Sequence, residues 1–384
     1  MYLSRIFNLK KVLAIIFCAA FALISDVKAE ETVNHDSQEV AHVESSAEHQ
    51  VEEEDDINKV ILHHISDSHE WHFWGHGEHK VAIPLPVILW TEKGLVTFLS
   101  NKYEKDEKAT QVFVENGQSL INFHGSYYYP SQVQNSAGQF VDSFDEYHRP
   151  TNAKPLDLSI TKNVLSMFIS MALLLYIFIS VAHSYKKREG KAPKGLQSLL
   201  EPVILFVRDD IAKPQLGYRY SAFMPFLLTV FFFVWINNLL GLVPVFPGGA
   251  NLTGNIAVTL MLALCTFILT TVNGNKNYWG HVFKPHVPWW LYPLMIPVEI
   301  IGLFTKPIAL TIRLFANITA GHILILSLIS LIFILKSVLV AGVALPFVLF
   351  ISAIELVVGF IQAFIFTILS ALFIGMAIEE HVEH

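Results

Sequence analysis

Apolar residues follow two different rhythms along this chain. From residue 163 onward they run almost unbroken. "NVLSMFISMALLLYIFISVAHSY", "SAFMPFLLTVFFFVWINNLLGLVP" and "NIAVTLMLALCTFILTTV" each hold about 20 residues of mostly apolar sequence, the length of one bilayer crossing. Before residue 160 the apolar runs are short and broken by turn residues: "VAIPLPVILW", "KGLVTFL", "QVFVENGQSLINF", "GSYYYP". This rhythm predicts short strands. Two longer helices are expected at 307–335 and 346–380, with the turn marked by Lys336 and the small residues up to Pro346. At about 1.5 Å per residue each exceeds about 40 Å, longer than the roughly 30 Å hydrocarbon layer, so both must tilt or lie partly along the membrane. "LYPLMIPVEIIGLFTKP" carries three irregularly spaced prolines and reads as a re-entrant or in-plane helix. "LQSLLEPVILFVRDDIAKPQLG" has charges interrupting its apolar face, as an amphipathic surface helix does. The predicted fold class is an all-α polytopic membrane protein. It has about five transmembrane helices including a long tilted hairpin, the surface helix, and a small β-rich or partly disordered N-terminal extension.

Composition agrees: 53% of the 384 residues are hydrophobic and only 15% charged, against about 25% charged in soluble domains. The net charge of −7 comes from a head segment rich in acids, and it carries no nucleic-acid signal. Cys18 and Cys265 lie far apart in apolar runs, so neither a disulfide framework nor a cysteine metal site is expected.

Residues 1–29 combine a basic start (Arg5, Lys10, Lys11), an apolar run and the small-x-small pattern Val27-Lys28-Ala29, the parts of a secretory signal peptide. An uncleaved first span is the rival reading. Residues 30–60 are acidic and poor in aromatics, an expected disordered segment. Residues 61–160 form the β-rich extension and 161–384 the membrane domain. The His-rich piece His63–Lys80 lacks the spacing of a closed zinc site. It reads as an exposed polar segment, with weak metal or proton buffering as the alternative. Behind the first span, "KKREGKAPKG" is a basic cluster expected in the cytoplasm. That orientation agrees with an exported extension and gives a cytoplasmic C-terminus.

Polar residues inside apolar helices are functional candidates by default. The first long helix holds Arg313, Asn317 and His322, with Glu299 and Lys306 on nearly the same stripe as Arg313 if helix persists through Pro307. At 100° per residue Asn317 lies close above Arg313, and His322 lies about 180° round. The second helix carries Glu355 and Gln362 on one face. His322 and Glu355 fall at similar depth, and such a pair can pass a proton because imidazole titrates near neutral pH. Arg313 is instead a fixed positive charge, attracting a carboxylate at 4 Å by about 4 kcal/mol at an effective dielectric near 20. Plainer accounts stand beside these. Arg313 could pair with an internal acid such as Glu355, His322 could be an interhelical hydrogen-bonder, and Asn317 and Gln362 could be helix–helix glue.

"KPIALTIRLFANITAGHIL", "ELVVGFIQAFIFTILSALFIGMAIEEH" and "NNLLGLVP" followed by "NIAVTL" resemble the signature segments of subunit a of the F-type ATP synthase. The likeness covers about residues 160–384. It implies a stator that passes protons to a rotating c-ring, in a complex with peripheral stalk b subunits and the catalytic subunits, in a bacterial inner membrane. The resemblance implies no cofactor, no metal and no bond chemistry by this chain alone. By the same resemblance Arg313 matches the arginine that meets the ring carboxylate, Gln362 the glutamine packed near it, and Asn317 a residue of the same face. His322 and Glu355 match the outer half-channel pair, and Glu299 an acidic position of the cytoplasmic half-channel. The order His-then-Glu is the mitochondrial-type one, and Asn255 stands where many bacterial members have an aspartate. The rival class, a secondary transporter binding an anion at Arg313, calls for internal repeats, and none is found.

Overall fold

The computed structural model describes residues 67–74, 81–103, 106, 109–135, 138–145, 149–189, 191–242, 251–283, 287–335 and 337–379. The signal peptide, the acidic segment and most of the His-rich piece lie outside them. The described chain divides into two compact units, one ending at Leu165 and the other running on from Ser166.

The first unit is built of short antiparallel strands: β1 (Glu70–Trp74), β2 (Val81–Pro84), β3 (Pro86–Thr91), β4 (Gly94–Leu99), β5 (Val112–Glu115), β6 (Gln118–Phe123), β7 (Ser126–Tyr128) and β8 (Leu156–Asp157). They pair as β1–β2, β4–β3–β8 and β5–β6–β7. Alternation sends Val87, Leu89, Val96 and Phe98 inward, onto Leu120 and Tyr127 of the other three-stranded sheet. Ile121 and Phe123 of the same β6 strand pack with Ala109, Tyr128 and Val141 in a second core. Strand β6 is therefore covered on both sides from Leu120 to Phe123. Lys102 Nζ donates to Glu115 Oε2 at 2.6 Å, and Tyr103 Oη donates to the same oxygen. Both contacts hold the Glu115 carboxyl below its usual pKa, the lysine bond contributing most. His69 Nε2 lies 3.2 Å from Asp157 Oδ2.

Helix α1 (Lys162–Lys187) begins in this unit and continues in the second. There follow α2 (Leu196–Phe206), a π-helical stretch (Val207–Ala212), α3 (Lys213–Leu216), α4 (Tyr220–Leu242), α5 (Ile256–Asn273), α6 (Lys276–Phe283), α7 (Tyr292–Leu335) and α8 (Val338–Ile378). Among the described residues five helical runs are long and apolar enough to cross a membrane, as the pattern predicts. Helix α8 packs along α4 and α7, and α7 also lies along α5. Phe178 meets Phe232 edge-on at 5.0 Å, joining α1 to α4.

The expected boundaries of the long hairpin differ from those found. Helix α7 starts at Tyr292 rather than near residue 307, and runs through Pro297 and Pro307. Pro293 falls in its first turn, where a missing N–H is free of cost. Just beyond Pro307, Thr311 Oγ1 donates back to the Pro307 carbonyl at 2.9 Å, and the helix continues. Likewise α8 starts at Val338, ahead of Pro346. The proline-rich piece is thus the first part of one 44-residue helix, about 66 Å long.

Candidate functional site

Two contacts fix the register of α7 against α8. An ideal Cβ on Gly321 would lie 2.5 Å from Glu355 Oε1, so the Glu355 carboxyl rests directly on that glycine, next in sequence to His322. Towards the other end, Lys306 Nζ stands 5.5 Å from the centre of the Phe373 ring. Counting back from Gly321 along two antiparallel helices puts Arg313 level with Ala363, beside Gln362. Since α7 is continuous, the axial distance is about 21 Å from Glu299 to Arg313 and about 12 Å from Arg313 to Gly321.

The environments differ sharply. Arg313 and Asn317 are exposed, and Arg313 has no hydrogen bond or ion pair among the described residues. Glu355 is 5% exposed, and neither carboxyl oxygen has a hydrogen-bond partner. The two therefore do not pair, which removes the plainest account of the arginine. His322 is half-buried at the level of Glu355, and Gln362 is buried.

Around Glu355 lies a polar cluster that the sequence reading passed over. Asn238 of α4 donates from Nδ2 to the Gly359 carbonyl, one turn along from Glu355, at 3.0 Å, and Thr253 Oγ1 donates to Asn238 Oδ1 at 2.7 Å. Thr319 of α7 reaches the Gly254 carbonyl at 3.4 Å. Asn237 Oδ1 and Asn251 Nδ2 are buried without a hydrogen-bond partner. Asn255 caps α5, its Oδ1 accepting from the Ala257 N–H at 2.9 Å. Asparagines at a span's end look like interface residues in sequence, and only a pairing as remote as Asn238 with Gly359 shows them buried. Unpartnered buried polar atoms are costly, so their concentration on one level marks a place suited to water or a moving proton.

A second polar place lies at the opposite end. His281 Nδ1 of α6 stands 3.4 Å from Glu299 Oε1. Asn275 donates from its backbone and side chain to the carbonyls of Ala377 and Ile378, both at 2.8 Å, tying α6 to the end of α8. Between this level and Arg313 is a small cavity with Lys306, Thr266, Thr270 and Tyr278 in its wall. Arg313 sits between the two polar places and belongs to neither.

A family model described as ATP synthase A chain matches residues 164–375, more than half of the chain. The chain belongs to this family. Similar proteins named ATP synthase subunit a include one from Chloroherpeton thalassium, 49% identical over 59% of this chain and 69% of the relative. One from Myxococcus xanthus is 45% identical over 60% and 77%. A protein of Chlorobium luteolum named ATP synthase subunit a 2 is 46% identical over 71% of this chain and 77% of its own length. That share of the chain exceeds the membrane part, so the likeness reaches into the β unit. A second model, described as a domain of unknown function (DUF8433), matches residues 60–158. As a member of the ATP synthase A chain family, the chain is a multi-pass membrane subunit that assembles with the rest of an ATP synthase.

Proposed function

We propose that this subunit passes protons to and from the carboxylates of a rotating c-ring, through one half-channel at each end of the α7–α8 hairpin. The observation that carries the reading is the state of Arg313: exposed, with no counter-charge among the described residues. A guanidinium held in a membrane helix faces protein or water rather than lipid, and its partner on this reading is a ring carboxylate.

The outer half-channel uses Asn238, Glu355 and His322. A proton arriving there passes through the His322–Glu355 pair onto a ring carboxylate, which becomes neutral and can turn through lipid. On its return the carboxylate meets Arg313. The fixed charge favours the ionised form, so the proton leaves by the cavity at Lys306 and the acidic position Glu299. Gln362 and Asn317 flank Arg313 and orient the encounter. With about 33 Å of helix between Glu299 and Gly321 and a permanent cation between them, no continuous proton path joins the two sides. On the same reading the complex lies in a bacterial inner membrane, its b subunits bracing this stator, with the β unit periplasmic and the basic loop Lys186–Lys194 cytoplasmic.

ATP-driven proton pumping in inverted vesicles tests the central role. Arg313→Ala should abolish pumping while the complex still assembles, and Arg313→Lys should fail too, since an ammonium lacks the planar fork and is neutralised more easily when desolvated. Normal pumping in Arg313→Ala ends the reading.

A further inference from the structure

The β unit carries a sheet face whose chemistry is inverted. An antiparallel sheet with one face on a core ordinarily turns polar residues outward. In the β4–β3–β8 sheet the outward positions are apolar. Leu95, Trp90 and Leu156 form one row across all three strands, and they are 51%, 58% and 45% exposed. Ile88 with Thr97, then Pro86 with Leu99, continue the face. None of these outward positions on β3 and β4 is charged, and Thr97 is the one polar residue among them.

We propose that this face lies on the bilayer surface, with Trp90 at head-group level and the leucines against the upper acyl chains. The proposal rests on reading α1 as a span, and its occupant is set by continuity with that span. Beyond β8 the chain stays in the sheet: the N–H groups of Leu158 and Ile160 donate to the carbonyls of Ile88 and Pro86 at 2.9 and 3.1 Å. Two residues later α1 begins. Its first turn is bound into the same unit: Lys162 N–H donates to the Ser68 carbonyl at 2.9 Å and Asn163 N–H to Asp67 Oδ1 at 3.1 Å. The apolar face and the first turn of α1 thus belong to the same compact unit. Tryptophan among aliphatic residues is the composition that settles at the membrane–water boundary. A face this apolar in water would also expose a sheet-spanning row to aggregation, and a lipid surface removes that liability without a protein partner.

The test uses the complete complex in vesicles, in a background with Cys18 and Cys265 replaced by serine. An environment-sensitive fluorophore is attached at Leu95→Cys, and separately at Thr97→Cys, a polar position on the same face that guards against a folding defect in the first. Val114→Cys, exposed on another strand, serves as the aqueous reference and Leu175→Cys, exposed midway along α1, as the lipid reference. Lipids brominated high on the acyl chain should quench labels at 95 and 97 at least twofold and leave 114 unchanged, while aqueous iodide should do the reverse. Quenching of 95 and 97 by iodide alone places the face in water and overturns the proposal. Shielding from both quenchers means a protein, either a second copy or another subunit, covers it, and overturns it equally. A label at 175 that bromolipid does not quench overturns the span, and the docking with it.

Discussion

Replacing Gly321 with alanine probes the meeting of α7 and α8 at a single atom. The new Cβ would lie 2.5 Å from Glu355 Oε1 and 2.8 Å from its Cδ. Ordinary carbon–oxygen contacts lie at about 3.3–3.6 Å, so the carboxyl must retreat by about 1 Å. The atoms in the way are the far end of a flexible side chain, which makes the retreat cheap, and alanine improves helix propensity by about 1 kcal/mol. Stability and assembly should therefore hold. Transport should not, because a reacting group displaced by about 1 Å can lose on the order of 100-fold in rate. The expected result is a complex of normal subunit content and melting temperature whose proton flux in reconstituted vesicles falls between about 10- and 100-fold. Gly302→Ala and Gly342→Ala, on the same two helices with nothing within 4 Å of the added atom, should conduct normally. Adding Glu355→Asp to Gly321→Ala withdraws the carboxyl by one methylene, about 1.5 Å, and should recover part of the flux. Undiminished flux in Gly321→Ala would refute the reasoning, because the carboxyl would then have no positional role.

Three further outcomes follow from the same geometry. If His322 and Glu355 act as one unit, they titrate together, and His322→Ala with Glu355→Gln should be little slower than the worse single change. The exchange His322→Glu with Glu355→His should conduct better than either single, and multiplicative losses without recovery, followed across a pH series, would mean independent sites. Gly375→Ala should behave unlike Gly321→Ala: its Cβ would fall 2.2 Å from the backbone oxygen of Gln215, which cannot swing away, so overpacking of about 1–3 kcal/mol should lower the melting temperature of the complex. For topology, a cysteine at Ser126 should react with an impermeant thiol reagent once the outer barrier is opened, and one at Ser198 should not; the opposite pattern would exchange the two half-channels.

The spans and strands were legible because each announces itself within a short window: about 20 apolar residues for α1, α4 and α5, alternation with turns for β3 to β7. Arg313, His322 and Glu355 stood out as candidates because they are polar among lipid-soluble neighbours. What escaped was whatever depends on two remote segments. The prolines of α7 argue for a break only while the helix is imagined alone, and its packing along α5 and α8 is not visible in a proline count. Asn238 and Thr253 sit at the ends of apolar runs, where polar residues need no explanation, until α8 brings the Gly359 carbonyl to them. In sequence, Gly321 and Gly375 are simply two glycines within long apolar helices. One makes room for a carboxyl and the other for a carbonyl, and only the opposing atom tells them apart.

An exposed Arg313 also bears on how the subunit is made. A lone copy in the bilayer holds that cation against acyl chains, at a cost of roughly 2.5–3.5 kcal/mol by insertion scales. Such a penalty favours partly expelled or distorted forms of α7 by a factor on the order of 100. On the function proposed above, docking against the ring carboxylates removes the penalty, and a copy without a ring keeps it. The stator's most favourable place in the bilayer is then beside its ring.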